Sequence, residues 1–344
     1  MMKIGVLTGG GDCPGLNPAI RGVVMRAMDY NYEVIGIAEG WKGLINGETI
    51  PLKISDVEEI MSRGGTIIGT SRTNPFKKEK EDVKKVMDNF RKIGLEALIA
   101  IGGEDTLGVA NRLYKLGMPV VGMPKTMDND ISATGYSFGF DTATTVAMEA
   151  LERLRDTARS HRRVIILEVM GRHAGWVALF TAVGGGADWV LIPEKTVDFE
   201  SMCTHLKKVH QRKFYALVVV SEGVNLPTET GAETKQETDT FGHIILKERG
   251  VGEKVAREIE KRTGIETRWA VIGHIQRGGA PTLFDRMFAF RTGVKAVDLI
   301  REKKFGEMAC LVGDEIGSVS LEKALEKLKT VSDDWYELAK VTFK

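Results

Sequence analysis

The stretch that decides the fold reads Lys3-Ile4-Gly5-Val6-Leu7-Thr8-Gly9-Gly10-Gly11-Asp12. Its first half is a short, continuously apolar run, which is typical of a strand buried on both faces of a sheet. Its second half is a glycine-rich turn that ends in an acid, and a helix is predicted to follow from about Gly15. A strand, a glycine turn and a helix form the repeating unit of doubly wound α/β folds, in which ligands bind at the carboxyl ends of the strands.

The same unit recurs along the chain. Amphipathic segments between apolar runs predict helices, among them one that ends before Gly94, one that ends near Ser160 and one over about Glu253 to Arg262. This alternation predicts an α/β fold with mostly parallel sheets. Further buried strands are predicted at Ala97–Ile101, Val120–Met123, Val164–Val169, Val190–Ile192 and Ala216–Val220.

Length and composition limit the classes of protein to which the chain can belong. Its 344 residues suggest two domains or one large α/β unit. With 48 basic and 47 acidic residues the net charge is +1, so neither nucleic acid nor an anionic membrane is an expected partner. No transmembrane helix or signal peptide is predicted. The cysteines Cys13, Cys203 and Cys310 have no ligand spacing, which fits buried thiols in a reduced, cytoplasmic protein.

One segment interrupts the alternation of strands and helices. Residues Asn225 to Thr240 are polar and have no clear period, which predicts a loop or an exposed hairpin insertion. A domain boundary is expected near Gly139, where the glycine-rich loops end and a long helix begins.

Two glycine turns at predicted strand ends are candidates for phosphate binding. In Thr8–Asp12, glycines would let backbone N–H groups approach a phosphate, although a plain tight turn has the same pattern. In Gly102–Thr106, the adjacent carboxylates of Glu104 and Asp105 are tolerable if a cation or a basic side chain lies between them. Alternatively, they are acids that stabilise the N-terminus of a helix.

The loop Pro124–Asp130 carries a lysine, a threonine hydroxyl and two carboxylates within seven residues. A carboxylate at this strand end could accept the proton of an attacking hydroxyl group. A simple Asx-turn loop is the alternative, because Asp and Asn side chains readily bond their own backbone.

Arginines beside glycines at strand ends form a third pattern. Each could be an ordinary solvated residue, but several together could form a phosphate clamp, because the guanidinium fork binds phosphate oxygens in pairs. They are Arg162, Arg163, Arg172, Arg268 and Arg277.

Together these segments resemble the phosphofructokinase family, and the resemblance runs from Lys3 to about Lys329. The signature blocks stand in the family's order: TGGGDCPGLN, RGGTIIGTSR, GGEDT, PKTMDND, SHRRV, EVMGRHAGW and GHIQRGG. The resemblance implies that Asp128 is the general base for the 1-hydroxyl of fructose 6-phosphate and that Thr126 and Asp130 orient substrate and base. It implies that Arg72 and Arg172 neutralise the transferred group, as phosphoryl transfer requires.

The resemblance also implies the binding sites. Gly10 is expected to place its N–H against the donor phosphate, and Glu104, where many members have Asp, is expected to bind Mg²⁺. Arg163 and Arg268 match arginines that reach a neighbouring active site in the family, which implies a homo-oligomer, either a dimer or a tetramer. The implied sugar-phosphate pocket consists of Thr126, Asp128, Arg163, Met170, Gly171, Arg172, Glu222, Arg268, His274 and Arg277.

Two positions indicate the phosphoryl donor. The ATP-using branch of the family typically has glycine in place of both Asp105 and Lys125, whereas this chain has the pair typical of the branch that uses inorganic pyrophosphate. GGED also occurs in one bacterial group of that branch. Asp105 would meet the α-phosphate of ATP, and two like charges about 4 Å apart cost roughly 1 to 4 kcal/mol. The expected reaction is therefore a reversible transfer from pyrophosphate to fructose 6-phosphate.

The architecture implied by the resemblance is two doubly wound α/β domains with the substrate cleft between them. The first would hold residues 1–138 and about 276–330, and the second 139–275 and about 331–344, with the polar insertion near 225–240. An ATP-dependent member of the family is the main alternative. A non-catalytic sugar-phosphate-binding subunit and a kinase for a dinucleotide or a lipid are more distant ones.

Overall fold

The computed structural model describes residues 1–77, 80–227 and 250–343. The predicted polar insertion near 225–240 lies outside the described residues from 228 onward. No helix in the described ranges is both long and apolar enough to cross a membrane.

The described residues form eleven strands, which alternate with helices along most of the chain. The strands are β1 Lys3–Thr8, β2 Glu33–Ile37, β3 Thr49–Leu52, β4 Ala97–Gly102, β5 Val120–Pro124, β6 Val164–Val169, β7 Trp189–Leu191, β8 Ala216–Ser221, β9 Thr267–Val271, β10 Glu307–Val312 and β11 Glu315–Ser320.

A 3₁₀-helix at Gly273–Arg277 and twelve α-helices complete the described part of the chain. The α-helices are α1 Leu16–Asp29, α2 Trp41–Asn46, α3 Ile54–Val57, α4 Lys80–Ile93, α5 Glu104–Lys115, α6 Phe140–His161, α7 Trp176–Gly184, α8 Phe199–Lys213, α9 Val251–Thr263, α10 Leu283–Arg301, α11 Leu321–Ala324 and α12 Asp333–Thr342.

The larger sheet has seven strands in the order β11-β10-β5-β4-β1-β2-β3. Its central strands are parallel, with Ile4 of β1 paired to Ala97 of β4 and Leu98 of β4 paired to Val120 of β5. Only the strands at its two edges, β3 and β11, run antiparallel to their neighbours. The carboxyl ends of β1, β4 and β5 therefore meet at one edge, where the two predicted glycine turns and the Pro124–Asp130 loop begin.

The smaller sheet contains four parallel strands in the order β7-β8-β6-β9. The central strands β6 and β8 are buried along their whole length, because helices cover both faces. The edge strand β9 exposes Arg268, Trp269 and Val271.

The packing of α1 on α10 depends on two glycines. A Cβ atom on Gly22 would overlap the carbonyl oxygen of Phe290, and one on Gly293 would overlap that of Ala19. Packed closely in this way, α1 and α10 together cover one face of the larger sheet. On the other face, α4 and α5 contribute Val86, Phe90 and Leu107 to the core.

The predicted fold class is confirmed, since both sheets are mostly parallel and helices lie between successive strands. Each of the predicted strands is observed, with ends that agree to within one residue. The three cysteines are free and buried, as predicted, and burial raises the pKa of Cys13 to about 12.

Candidate active site

The two predicted phosphate loops lie side by side. The Gly9 N–H donates to the carbonyl oxygen of Ile101 at 2.9 Å, because β1 and β4 are neighbours. The buried side chain of Thr106 fills the space between the loops, and a Cβ on either Gly9 or Gly102 would overlap it. Both positions therefore require glycine for a close approach, and the two loops form one continuous floor.

Gly10 occupies this floor differently from the sequence prediction. Its N–H donates to the carbonyl oxygen of Ser71 at 3.0 Å, and its own carbonyl accepts from the hydroxyl of Thr70 at 2.8 Å. The N–H is therefore engaged by the chain itself, and its expected contact with the donor phosphate stays a prediction. What Gly10 supplies is a φ of +82°, which residues with a side chain rarely adopt, rather than space, because a Cβ there would meet the ammonium nitrogen of Lys125 only at an ordinary contact distance of 3.5 Å.

Lys125 directly follows β5 and lies against the two predicted phosphate loops. Only 4% of the residue is exposed, its backbone N–H donates to the carbonyl oxygen of Gly102 at 3.0 Å, and its ammonium group donates to the carbonyl oxygen of Gly11. Burial lowers the pKa of Lys125, and the positive charges of Arg277 and Arg72 act in the same direction. An anion bound here would offset both effects.

The two acids of the second loop start α5. Glu104 is exposed and Asp105 is half-buried, and both lie in the first helical turn. No group of three His, Cys, Asp or Glu side chains with metal-binding geometry occurs within 1–77, 80–227 and 250–343. Glu104 fits Mg²⁺ nevertheless, because this ion is usually held by one or two carboxylates together with substrate phosphates.

The loop after Lys125 is fixed by bonds within itself. The Asp128 N–H donates to the Thr126 hydroxyl at 3.1 Å, and the Ser137 hydroxyl donates to the Thr126 carbonyl at 2.7 Å. Asn129 takes a left-handed conformation with φ of 52°, and its side-chain oxygen accepts from the Ser137 N–H at 3.1 Å. Asn129 and Ser137, which the sequence did not single out, thus hold the backbone of the loop that carries Asp128 and Asp130.

Asp128 has the electrostatic environment of a proton acceptor that works near neutral pH. Burial, the largest cause, and the nearby carboxylates of Asp130 and Glu222 together raise the pKa of Asp128 to about 7, against the opposing charges of Arg277 and Arg172. Burial likewise raises the pKa of Asp130. Charged residues that follow β5, β6 and β8 therefore act on one another, and among the predicted catalytic residues Asp128, Asp130 and Arg172 lie near one another.

The loops after β6 and β8 interlock on the other side of the site. The Ser221 hydroxyl donates to the Gly171 carbonyl at 2.5 Å, and the Gly171 N–H donates to a Glu222 carboxylate oxygen at 3.5 Å. The Met170 N–H donates to the side-chain oxygen of Gln276 at 2.9 Å. Gln276 is fully buried and was not predicted; it links this loop to α6 by donating to the Ala143 carbonyl at 3.2 Å.

Arg277 reaches further than predicted. A Cβ on Gly11 would overlap its guanidinium group, and one of its terminal nitrogens lies 3.4 Å from the carbonyl oxygen of Asp12. The side chain therefore contacts the donor loop, and its charge acts on Asp128 and Glu222 as well. His274 lies in the same 3₁₀-helix and is exposed.

Arg163 and Arg268 lie away from the other predicted sugar-phosphate residues. Arg163 precedes β6 and Met170 follows it, so the strand separates them by roughly 20 Å at its rise per residue. Both arginines pair with Glu266, at 2.7 Å and 2.6 Å respectively. One chain alone does not bring them into the site.

Comparisons with known proteins show which sequences and folds the chain resembles. A Dictyoglomus thermophilum protein named pyrophosphate–fructose 6-phosphate 1-phosphotransferase is 53% identical over 344 residues, with 99% of each chain covered. A Streptomyces coelicolor protein named ATP-dependent 6-phosphofructokinase 3 is 46% identical over 337 residues, with 97% of this chain and 98% of the relative covered. The crystal structure of a pyrophosphate-dependent phosphofructokinase from Marinobacter aquaeolei has the same fold, with a TM-score of 0.84 at 21% identity, covering 100% of this chain and 92% of that one.

The family model described as Phosphofructokinase matches residues 3–300, which include both phosphate loops and the Asp128 loop. The chain belongs to the phosphofructokinase family.

Proposed function

We propose that the protein catalyses the reversible, Mg²⁺-dependent transfer of a phosphoryl group from pyrophosphate to the 1-hydroxyl of fructose 6-phosphate. The products are fructose 1,6-bisphosphate and phosphate. The observation that carries the choice of donor is the buried ammonium group of Lys125 against Gly11, with Asp105 in the neighbouring loop.

Pyrophosphate suits this floor better than ATP does. The Lys125 ammonium supplies a positive charge that balances a compact, highly charged donor. Asp105 adds a carboxylate where the α-phosphate of ATP would lie, and at about 4 Å this repulsion costs roughly 1 to 4 kcal/mol. The relative from Dictyoglomus thermophilum carries the pyrophosphate name, which supports the same choice.

The chemistry follows from positioning and charge. Asp128 accepts the proton of the 1-hydroxyl as that oxygen attacks the phosphorus, and it returns the proton in the reverse direction. Thr126 and Asp130 hold the hydroxyl and the base in line, while Arg172 and Arg72 neutralise the charge on the transferred group. Glu104 would hold Mg²⁺, which supplies positive charge to the donor phosphates when it is bound.

The sugar phosphate is bound on the opposite side of the cleft. Met170, Gly171, Glu222, His274 and Arg277 line its site in the protein's own chain, and Glu222 is held there by the Gly171 N–H. Fructose 6-phosphate is thereby oriented with its 1-hydroxyl toward Asp128.

The arginines Arg163 and Arg268 complete the site of a neighbouring copy in a homo-oligomer. Arg268 lies on β9, the open edge strand of the smaller sheet, with the exposed side chains of Trp269 and Val271, while Arg163 precedes the neighbouring strand β6 and pairs with the same Glu266. An exposed apolar edge next to paired charges is suited to a second copy of the chain.

We also propose the two-domain division given by the sequence, with residues 1–138 and about 276–330 around the larger sheet and 139–275 and about 331–344 around the smaller one. This division is supported by the two sheets, because the larger one contains β1–β5, β10 and β11 and the smaller one contains β6–β9. The three buried free thiols support a reduced, cytoplasmic location.

A coupled assay of fructose 1,6-bisphosphate formation tests the reaction. Purified protein receives fructose 6-phosphate and Mg²⁺ with either pyrophosphate or ATP. Turnover with pyrophosphate that greatly exceeds turnover with ATP is the expected result. Dominant ATP turnover would overturn the choice of donor, and no turnover with either donor would overturn the reaction itself.

A further inference from the structure

Lys329 lies in a short connecting segment, 328–331, which we call the strap. The Lys329 N–H donates to the carbonyl oxygen of Asp130 at 2.8 Å. Its ammonium group donates to the carbonyl oxygens of Gly135 at 2.6 Å and Thr134 at 3.2 Å. Backbone and side chain of one residue therefore hold the continuation of the loop that carries Asp128.

The strap is fixed just as firmly to the start of α7. The indole N–H of Trp176 donates to the carbonyl oxygen of Lys329 at 2.8 Å. The Val331 N–H donates to Glu194 at 2.9 Å, and the same carboxylate accepts the Gly175 N–H at 2.9 Å and 3.1 Å. Gly175 and Trp176 follow the Met170–Arg172 loop after two residues, so the strap connects both halves of the site.

We propose that Lys329 is a positioning residue, which holds the Asp128 loop at a fixed distance from the sugar-phosphate loop. This inference rests on the proposed phosphoryl transfer, in which a base on one loop must meet a hydroxyl held by the other. A displacement of about 1 Å in such a pair can reduce the rate about a hundredfold. A lysine suits this place because its ammonium group can satisfy two carbonyl oxygens at once.

Removal of the ammonium group is the first test, with Lys329→Met as the variant and Lys327→Met as the control. Lys327 is exposed and only two residues away, so the control makes the same change of charge at nearly the same place. We expect Lys329→Met to lower kcat by at least about tenfold with a change in KM for fructose 6-phosphate below about threefold, and the control to match the wild type. A kcat of Lys329→Met within about twofold of the wild type would overturn the proposal.

Rescue by arginine separates positioning from general damage. Lys329 lines an open cavity of about 490 Å³, which leaves room for the longer side chain of Lys329→Arg. Because arginine can also donate to two carbonyl oxygens, we expect kcat to return to within about threefold of the wild type. An arginine variant as slow as the methionine variant would contradict the assigned role.

Amide hydrogen exchange tests the connection without any activity measurement. Lys329→Met should accelerate exchange both in 126–137 and in 170–176. Trp176→Phe removes the indole N–H that donates to the Lys329 carbonyl but keeps an aromatic ring, and it should accelerate exchange in the same two segments. Acceleration confined to one of the two segments would overturn the coupling. If the wild type lacks pyrophosphate turnover, the reaction proposal fails, while hydrogen exchange still decides the role of Lys329.

Discussion

The ammonium group of Lys125 donates a hydrogen bond to the carbonyl oxygen of Gly11, and this bond ties the end of β5 to the first donor loop. The ammonium group has little access to water, and burial lowers the pKa of Lys125. Burying this positive charge costs free energy, and a bound donor anion would offset that cost. This arrangement supports the proposed role of Lys125 in binding the phosphoryl donor.

Replacement of Lys125 by methionine should weaken pyrophosphate binding far more than folding. Loss of a hydrogen bond to a charged group is worth about 1.5 to 3 kcal/mol, so kcat/KM for pyrophosphate should fall by roughly 10- to 100-fold. The buried charge disappears at the same time, so the free energy of unfolding should change little. The control is Lys115→Met, at an exposed lysine paired with Glu322; equal kcat/KM values in both variants would contradict the role of Lys125.

Asp105 should be the main barrier against ATP. Asp105→Gly removes bulk and charge and should raise kcat/KM for ATP by a factor between several and several hundred, the range set by about 1 to 4 kcal/mol of repulsion. Asp105→Asn removes the charge alone and should give an intermediate gain if both effects operate. Steady-state kinetics with both donors measures this, and unchanged ATP kinetics in both variants would be the contrary result.

The central strands could be predicted because a strand buried on both faces must be apolar at every position, as Val164–Val169 is. The edge strand Thr267–Val271 was not predicted, since its arginine and exposed side chains carry no such pattern. The glycine loops were predicted as turns, whereas the reason for Gly9 and Gly102 lies in Thr106, which only the three-dimensional packing brings between them.

The parts of the site that sequence could not reveal are contacts between distant segments. Gln276 and Lys329 belong to residue types that are usually on the surface, and nothing near them in sequence indicates a bond to Met170 or to Asp130. The contact of Arg277 with Gly11 is of the same kind. Motifs identified the reacting groups, but the residues that orient them became visible only in the fold.

The two directions of the reaction should have opposite pH dependences. In the forward direction Asp128 must be ionised before it can accept a proton, so kcat/KM should fall as the pH drops below about 7, the raised pKa of this carboxyl. In the reverse direction the same group must start protonated, so kcat/KM should fall as the pH rises above that value. Profiles of kcat/KM against pH in each direction, corrected for the ionisation of the substrates, would measure these two pH limbs.

Asp128→Asn is the variant that identifies the group responsible. It should lower the rate by about 10²- to 10⁴-fold and abolish both pH limbs, because an amide neither accepts nor returns the proton. A pH limb near neutrality that survives in Asp128→Asn would assign the titration to another group.

Asp285 should be a major contributor to stability, because it is fully buried and accepts from the Gly139 N–H at 2.9 Å and from the Thr142 N–H at 2.8 Å. Asp285→Ala leaves these two N–H donors without an acceptor and should lower the free energy of unfolding by about 3 kcal/mol. Burial raises the pKa of Asp285 to about 6, so its stabilising contribution is complete below the unfolded value of 3.8 and declines as the pH rises through 6.

The variant Asp285→Asn checks that sign. The free energy of unfolding of the wild type minus that of Asp285→Asn should be larger at about pH 4 than at about pH 8, because only the wild type loses stability as the carboxyl of Asp285 ionises. Urea unfolding at the two pH values measures it. A difference that grows with pH would mean that the ionised carboxylate is the stabilising form.

Active sites shared between subunits should be detectable by complementation. Asp128→Asn and Arg268→Ala should each be nearly inactive, the second through a raised KM for fructose 6-phosphate. If Arg268 serves the neighbouring site, a mixed dimer has one site in which both residues are intact, and random pairing should restore about a quarter of the wild-type activity. The two variants are unfolded together, refolded and assayed, with each variant refolded alone as the control. If Arg268 served its own chain, every site would lack one of the two residues, and refolding the mixture would restore nothing.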